Sequence, residues 1–470
     1  MEKLVKEANE KGAFNGTWLY AEKGKIISKG AVGFRDFEDR LPMREDSIFQ
    51  LASITKQFTA AAVMLLVREG LLSLEDEVTK FYPQIPYPGV TIKHLLTHTG
   101  GIPETYDEDN WIIRKWKEEK KVPGSDCVIA FLTESGEEAR FAPGDAFEYT
   151  NGGYNLLAEI VAKAAGVPFE EYLKKKIFEP AGMYHTGVHH IWTEGIPHDN
   201  TARNMVVKNS GHVPGTESAG REEIALDRPD GGHIPVAESA DRDVIAFDGL
   251  NGDDYVYTDI FDMFIWDRAL REEKVLTLEE QKLMYSTVKL NDGSISGADD
   301  DRDGYGFGWD IKNDEEFGLI VKHGGGMPGL NTWYERFMDA DRVLVFMGCR
   351  EPEDVRAEAA FWNGMRAIAM DRKPGPVETI EDQAIKDPDR SGWEAFCGSY
   401  DHPDEAEQHI DEVFLKEGEL YARGVDEDGR DYTSKLYPIG ENTFSRKRGW
   451  THFIFSENEL TFDGIICKKL

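Results

Sequence analysis

Along residues 53–69 the apolar positions Phe58, Ala61, Ala62, Leu65 and Leu66 recur at three- and four-residue spacing, and Gly70 follows. That pattern predicts a helix with one buried face and a glycine stop. Residues 154–165 predict another, ended by Gly166, with 168–178 following it. Ahead of both, a short helix leads into a hairpin: 16–21, a turn at 22–25, then 26–34. Helical periodicity resumes over 258–272 and at Thr277, where Thr277 and Glu280 have the spacing of a capping box. Strand-like runs then cluster at 305–311, 318–322, 332–337 and 342–347, and a helix over 353–370 closes this body. Strands at both ends of a region with helices between them imply one sheet built from distant segments and flanked by helices, an α/β (α+β) arrangement.

Two stretches break the pattern. Residues 189–254 are rich in Gly, Asp, Asn and His with little periodicity, and read as a long excursion lining or covering a site. Residues 371–388 turn to Lys, Pro, Asp and Glu and read as a linker. Beyond it, short alternating runs at 396–400, 410–415, 420–423, 432–438, 444–447, 452–455 and 460–462 predict a small antiparallel barrel or sandwich. The expected division is therefore a body over 1–370, a linker over 371–388 and a β-barrel domain over 389–470.

Composition narrows the function. With 54 Lys and Arg against 88 Asp and Glu, the net charge is −34 over 470 residues. Such a surface repels phosphate backbones and anionic lipid, which argues against a nucleic-acid or membrane-surface role. The longest strongly apolar uncharged stretch, 57–67, is well short of the roughly 18 to 20 residues that span a bilayer. The opening MEKLVKEANEKG has neither an apolar core nor a small-residue cleavage site, so the chain as given reads as cytoplasmic. Cys127, Cys349, Cys397 and Cys467 are scattered, with no CxxC pair, and fit a reducing compartment better than a disulfide frame or a zinc site.

The candidate chemistry starts at Ser53-Ile54-Thr55-Lys56, where a helix begins. Positions i and i+3 share a face, so the hydroxyl and the amine can converge on one cleft. Serine is a poor nucleophile without a base. Lysine serves as one when burial disfavours its ammonium form. The helix N-terminus favours negative charge developing at Ser53, although a serine there can equally be a simple cap.

Two further motifs follow in order: FEYTNGGY at 147–154, containing Tyr149-Thr-Asn151, and HGGGMPG at 323–329. The ordered set S-x-x-K, Y-x-N, H-x-G resembles the serine beta-lactamase-like family of class C beta-lactamases, DD-peptidases, D-aminopeptidases and related esterases. LASITKQF at 51–58, IKHLLTHTGG at 92–101, IFEPAGM at 177–183 and GYGFGW at 304–309 also look like this family, and the resemblance covers about residues 12–370. It implies a beta-lactamase/transpeptidase-like antiparallel sheet flanked by helices, a helical subdomain, and a C-terminal barrel similar to the lipocalin-like modules of some relatives. It implies Ser53 as the acyl-accepting nucleophile, with Lys56 or Tyr149 as its base; which of the two stays open. Asn151 would hydrogen-bond the substrate amide carbonyl, and His323 and Gly325 would line the substrate strand. The backbone N–H groups of Ser53 and Gly326 would form the oxyanion hole.

His323 stands where class C beta-lactamases resemble K-T-G, and a neutral histidine pairs less strongly than lysine with a substrate carboxylate. This shifts the expectation from beta-lactamase toward a peptidase or esterase cleaving a small peptide, amide or ester through an acyl-Ser53 intermediate. A silent homologue that binds peptides or cell-wall fragments is the alternative. No cofactor, metal or nucleic-acid partner is implied, and a homo-oligomer is left open. Three other features compete for attention. Asp299 to Gly304 with Asp310 approaches a calcium-loop spacing but lacks the following helix. His185, His189 and His190 read as a solvated loop without partnered carboxylates. The segment 110–121 reads as a lid or surface helix rather than a membrane helix.

Overall fold

The computed structural model describes residues 1–37, 39–106, 111–119, 121–204, 247–401, 409–425, 431–456, 458–462 and 464–470. By packing, residues 1–14 and 351–470 form one unit, and the other described residues form a second.

The second unit is built on a seven-stranded sheet, in the order Lys25–Val32, Gly16–Glu22, Arg342–Gly348, Leu330–Phe337, Gly318–Met327, Asp310–Asp314 and Gly304–Tyr305. Every pairing is antiparallel, and Trp18 faces Phe346 where the N-terminal hairpin meets the late strands. The early and late segments thus share one sheet, as their separation in the chain predicts. The 305–311 run differs. It breaks into two strands because Gly308 turns through φ +77°, and a Cβ there would lie 2.8 Å from the Lys56 carbonyl oxygen.

The helix Lys56–Arg68 is preceded by a 3₁₀ turn, Ala52–Thr55, and is buried continuously from Lys56 to Leu66. One buried face was expected; a helix apolar nearly all round is instead a central one. The helix Asn151–Ala165 ends at Gly166 in the left-handed conformation, as its stop signal implies. The helix Ile260–Arg271 begins after Asp259, whose carboxylate accepts from the amides of Phe261 and Asp262. The Thr277–Glu280 capping box is present. Fully buried Arg336 donates to Asp267 at 2.8 Å and thereby ties the strand Leu330–Phe337 to the helix Ile260–Arg271. Ile112, Ile113 and Trp116 of the helix Trp111–Glu119 are buried, so its apolar face is satisfied inside the protein. Most of the irregular excursion, residues 205–246, lies outside the described residues.

In the first unit the helix Glu2–Glu10 packs on Val355–Ala369, and Phe14 stacks on Phe361 at 4.4 Å between centroids. Nine antiparallel strands then form a nearly closed barrel. Its first strand in spatial order, Asp431–Lys435, and its last, Tyr437–Pro438, are joined through buried Leu436 alone. Seven runs were expected here. The run 432–438 splits at Leu436, and Ile465–Lys469 adds a strand whose two lysines and single buried residue hide it from a hydropathy reading. Phe396 stacks on Phe455 at 4.5 Å within a core that includes Trp393 and Phe444. Within 371–388, Val377 and Ile380 are buried. Among the described residues no helix is long and apolar enough to cross a membrane.

Candidate active site

Ser53 lies in the 3₁₀ turn, where residues i and i+3 eclipse one another more closely than in an α-helix. Lys56 is the first α-helical residue, and its Nζ donates to Ser53 Oγ at 3.0 Å. The turn is entered through Ala52 at φ +49°, a left-handed conformation that costs a residue with a Cβ about 1–2 kcal/mol. Contacts on both sides hold it there. Leu51 N–H donates to the Val256 carbonyl at 2.8 Å, and Thr332 Oγ1 donates to the Leu51 carbonyl at 2.8 Å. The strand Gly318–Met327 runs hard against this turn at Gly325. An added Cβ would fall 2.2 Å from the Leu51 oxygen, so only glycine allows the approach. At Gly326 the same construction meets open space.

Lys56 is completely buried, and its other acceptors are Asn151 Oδ1 at 2.7 Å and the Asp253 carbonyl at 3.4 Å. Its Nζ also stands over the Tyr149 ring, 4.9 Å from the centroid. Asn151 is held by its own backbone, because its N–H donates to Glu104 Oε2 at 2.8 Å. Burial raises the Tyr149 phenol above its ordinary value, while Lys56 and Ser53 pull it back. With 36 % of Tyr149 exposed, solvent weakens the upward push. His323 completes the group, its ring 6.1 Å from that of Tyr149. Both its nitrogens have partners in the protein: Nε2 lies 3.0 Å from the Tyr305 hydroxyl and Nδ1 2.5 Å from the Gly324 carbonyl oxygen. Burial, the largest influence, lowers its pKa and favours the neutral ring, in which Nδ1–H donates to Gly324 and Nε2 accepts from Tyr305. The structure therefore gathers Ser53, Lys56, Tyr149, Asn151, His323, Gly325 and Gly326 from three separate segments into one constellation.

A family model described as Beta-lactamase matches residues 1–366. The chain belongs to the beta-lactamase family. Among curated relatives of this family, Penicillin-binding protein 4* of Bacillus subtilis (strain 168) is 32% identical over 403 residues, 85% of this chain and 82% of that protein. Two solved structures agree in fold. The octameric penicillin-binding protein homologue from Pyrococcus abyssi superposes with a TM-score of 0.61 at 23% identity, covering 100% of this chain and 99% of that one. D-amino acid amidase from Ochrobactrum anthropi SV3, complexed with L-phenylalanine, gives 0.58 at 22% identity, covering 75% and 91%.

Around this beta-lactamase-family centre lie groups to which sequence reasoning assigned no role. His98 falls inside IKHLLTHTGG and Tyr305 inside GYGFGW, so the motifs that carried the resemblance also carried these residues. Glu104 follows the first of those motifs by three residues. Asp253 and Asp254 sit in the aperiodic excursion, where nothing local marks them. Both are buried; Asn155 Nδ2 donates to Asp253 Oδ1 at 2.5 Å and Gln50 Nε2 donates to Asp254 Oδ2 at 2.8 Å. Burial first, and Asp253 second, push the Asp254 carboxyl up to about 7. Of the competing features, one agrees with its reading and one changes. The acidic loop near Asp299 carries its own cation, since Arg302 pairs with Asp299 at 3.0 Å and Asp310 at 2.7 Å. His185 does have carboxylate partners: Nδ1 lies 2.8 Å from Asp259 Oδ2, and its N–H donates to Asp262. A separation of more than seventy residues in sequence hid that pairing.

Proposed function

We propose that this chain is a serine acyl hydrolase that cleaves a small peptide, amide or ester through an acyl-Ser53 intermediate. The observation that carries the reading is the Lys56 ammonium site, 3.0 Å from Ser53 Oγ and 2.7 Å from Asn151 Oδ1, with the Tyr149 ring beneath it. Ser53 Oγ attacks the carbonyl carbon once the Lys56–Tyr149 pair has lost one proton to solvent, leaving either free amine beside phenol or ammonium beside phenolate, and that vacancy takes the serine proton. That pair returns the proton to the leaving amine or alcohol, and then deprotonates the water that releases the acyl group. The amides of Ser53 and Gly326 hold the oxyanion, and Asn151 orients the substrate amide.

Within that class, the environment favours D-aminopeptidase-, amidase- or esterase-type substrates over those that end in a carboxylate. His323 offers no cation and no unpartnered ring nitrogen to a substrate carboxylate. Arg302 is occupied by two aspartates. Of the relatives named above, the D-amino acid amidase fits this choice, whereas Penicillin-binding protein 4* is named for a ligand that carries a carboxylate. A fluorophosphonate should add once to Ser53, read by intact mass, and nitrophenyl ester turnover should vanish in Ser53→Ala. A folded sample that gives neither adduct nor turnover is a binder. A substrate panel then ranks D-amino acid amides and short esters above acyl-D-alanyl-D-alanine and a chromogenic cephalosporin; the reverse order would overturn the preference.

A further inference from the structure

We infer that His98 is a positioning residue that sets the Tyr149 phenol, an inference resting on the hydrolase reading above. Its geometry brackets the tyrosine from both sides. The His98 carbonyl accepts from Glu148 N–H at 3.0 Å, and its ring Nδ1 accepts from Thr150 N–H at 3.2 Å. One residue thus holds the backbone N–H groups of the residues on either side of Tyr149. The imidazole also backs the phenol ring itself, with centroids 4.3 Å apart. Behind it stand Tyr154 at 5.1 Å and Tyr305 at 4.8 Å, and Tyr305 in turn holds His323. His98 is therefore the common wall between the second and third motifs.

Two features show that the fold holds this residue against local preference. His98 adopts φ +54°, a left-handed conformation that costs a residue with a Cβ about 1–2 kcal/mol, although histidine enters it more readily than most. It is also buried to 1% exposure, and its Nε2 has no hydrogen-bond partner among the described residues. An orphaned buried N–H costs roughly 1–3 kcal/mol, and it is tolerated here beside the Nδ1 that accepts from Thr150 N–H. Accepting at Nδ1 requires the neutral tautomer with its proton on Nε2. The groups facing it enforce that state: burial first, then Lys56, His323 and Arg302, all lower its pKa. Tyr149, Tyr154 and Tyr305, which also face it, are phenols raised by burial and carry no compensating negative charge.

The test uses the full chain and three variants. His98→Asn can present Oδ1 where Nδ1 lies and tolerates positive φ, whereas His98→Gln reaches past that position and leaves Thr150 N–H without its acceptor. Misplacing the phenol by an ångström predicts a fall in ester kcat of about 100-fold in His98→Gln, with KM little changed and partial rescue in His98→Asn. In a Tyr149→Phe background the same substitutions should alter the residual rate by less than about twofold, because a residue acting through the phenol has nothing left to position. Equal losses with and without the phenol, or a drop in thermal stability with kcat per folded molecule intact, would overturn the inference. If His98→Gln does not fold, His98→Asn carries the cycle, with about a tenfold loss expected in the parent and none in the Tyr149→Phe background. A parent protein that forms no Ser53 adduct sinks the hydrolase reading instead, so the two failures are distinct.

Discussion

Lys56 and Arg336 are both fully buried cations of the same unit, and the protein treats them in opposite ways. Arg336 donates to the Asp267 carboxylate at 2.8 Å and to the Tyr285 hydroxyl at 2.6 Å, and Asp267 is further flanked by Arg268 and Arg271. Those cations, Arg336 foremost, hold the Asp267 carboxyl below its usual range against the burial that would raise it. Lys56 has no carboxylate ion pair among the described residues; its acceptors are a hydroxyl, a side-chain amide and a peptide carbonyl. Its acidic neighbour Asp253 offers it the main chain, while the carboxylate goes to Asn155. A charge locked to its counter-ion is a rivet. A charge surrounded by neutral oxygens has no counter-ion to fix its proton in place.

The comparison breaks most sharply on removal of one partner at each place. Asp267→Ala strands Arg336 without a carboxylate and should cost about 3–5 kcal/mol in urea unfolding. Lys56→Met should change stability by no more than about 1–2 kcal/mol, the scale of its lost hydrogen bonds, while ester hydrolysis disappears. A Lys56→Met protein as crippled in folding as Asp267→Ala would show that both cations are structural.

The pH dependence sharpens the same contrast. Asp254, pushed up to about 7, keeps its proton in the native state after the unfolded chain has lost it near pH 4. Stability therefore falls as pH rises from about 4 to 7, and Asp254→Asn should flatten that slope in paired urea melts at pH 5 and pH 8. Asp267 works in reverse. Its lowered pKa supplies stability above about pH 4 that is lost on further acidification, so Asp267→Asn should lower stability at neutral pH and flatten the acid limb. The smallest effect belongs to Tyr285→Phe, which removes one acceptor from Arg336 and should cost about 1 kcal/mol with hydrolysis unchanged.

What could be read from the sequence was what neighbours in the chain decide. Gly166 stops its helix, Thr277 and Glu280 cap theirs, and Ser53 meets Lys56 because three residues make one turn. The order of the three motifs then brought Tyr149, Asn151 and His323 to the same centre through family resemblance, a form of information that spacing alone lacks. The rest depended on contacts between distant residues. That Lys56–Arg68 is buried all round follows from what packs on it, such as Trp266, whose indole donates to Gln57 at 2.8 Å. The role of His98 depends on Glu148 and Thr150, some fifty residues away. Asp254 is invisible as a buried acid until Gln50 is placed beside it. The ninth barrel strand, Ile465–Lys469, has only Cys467 fully inside, so its alternation could not announce it.

The helix Glu2–Glu10 and its partner Val355–Ala369 stand at opposite ends of the second unit's sequence. During synthesis Leu4, Val5 and Ala8 leave the ribosome long before the surface that will cover them exists. The apolar face of the first helix therefore stays uncovered until the whole intervening stretch has been made.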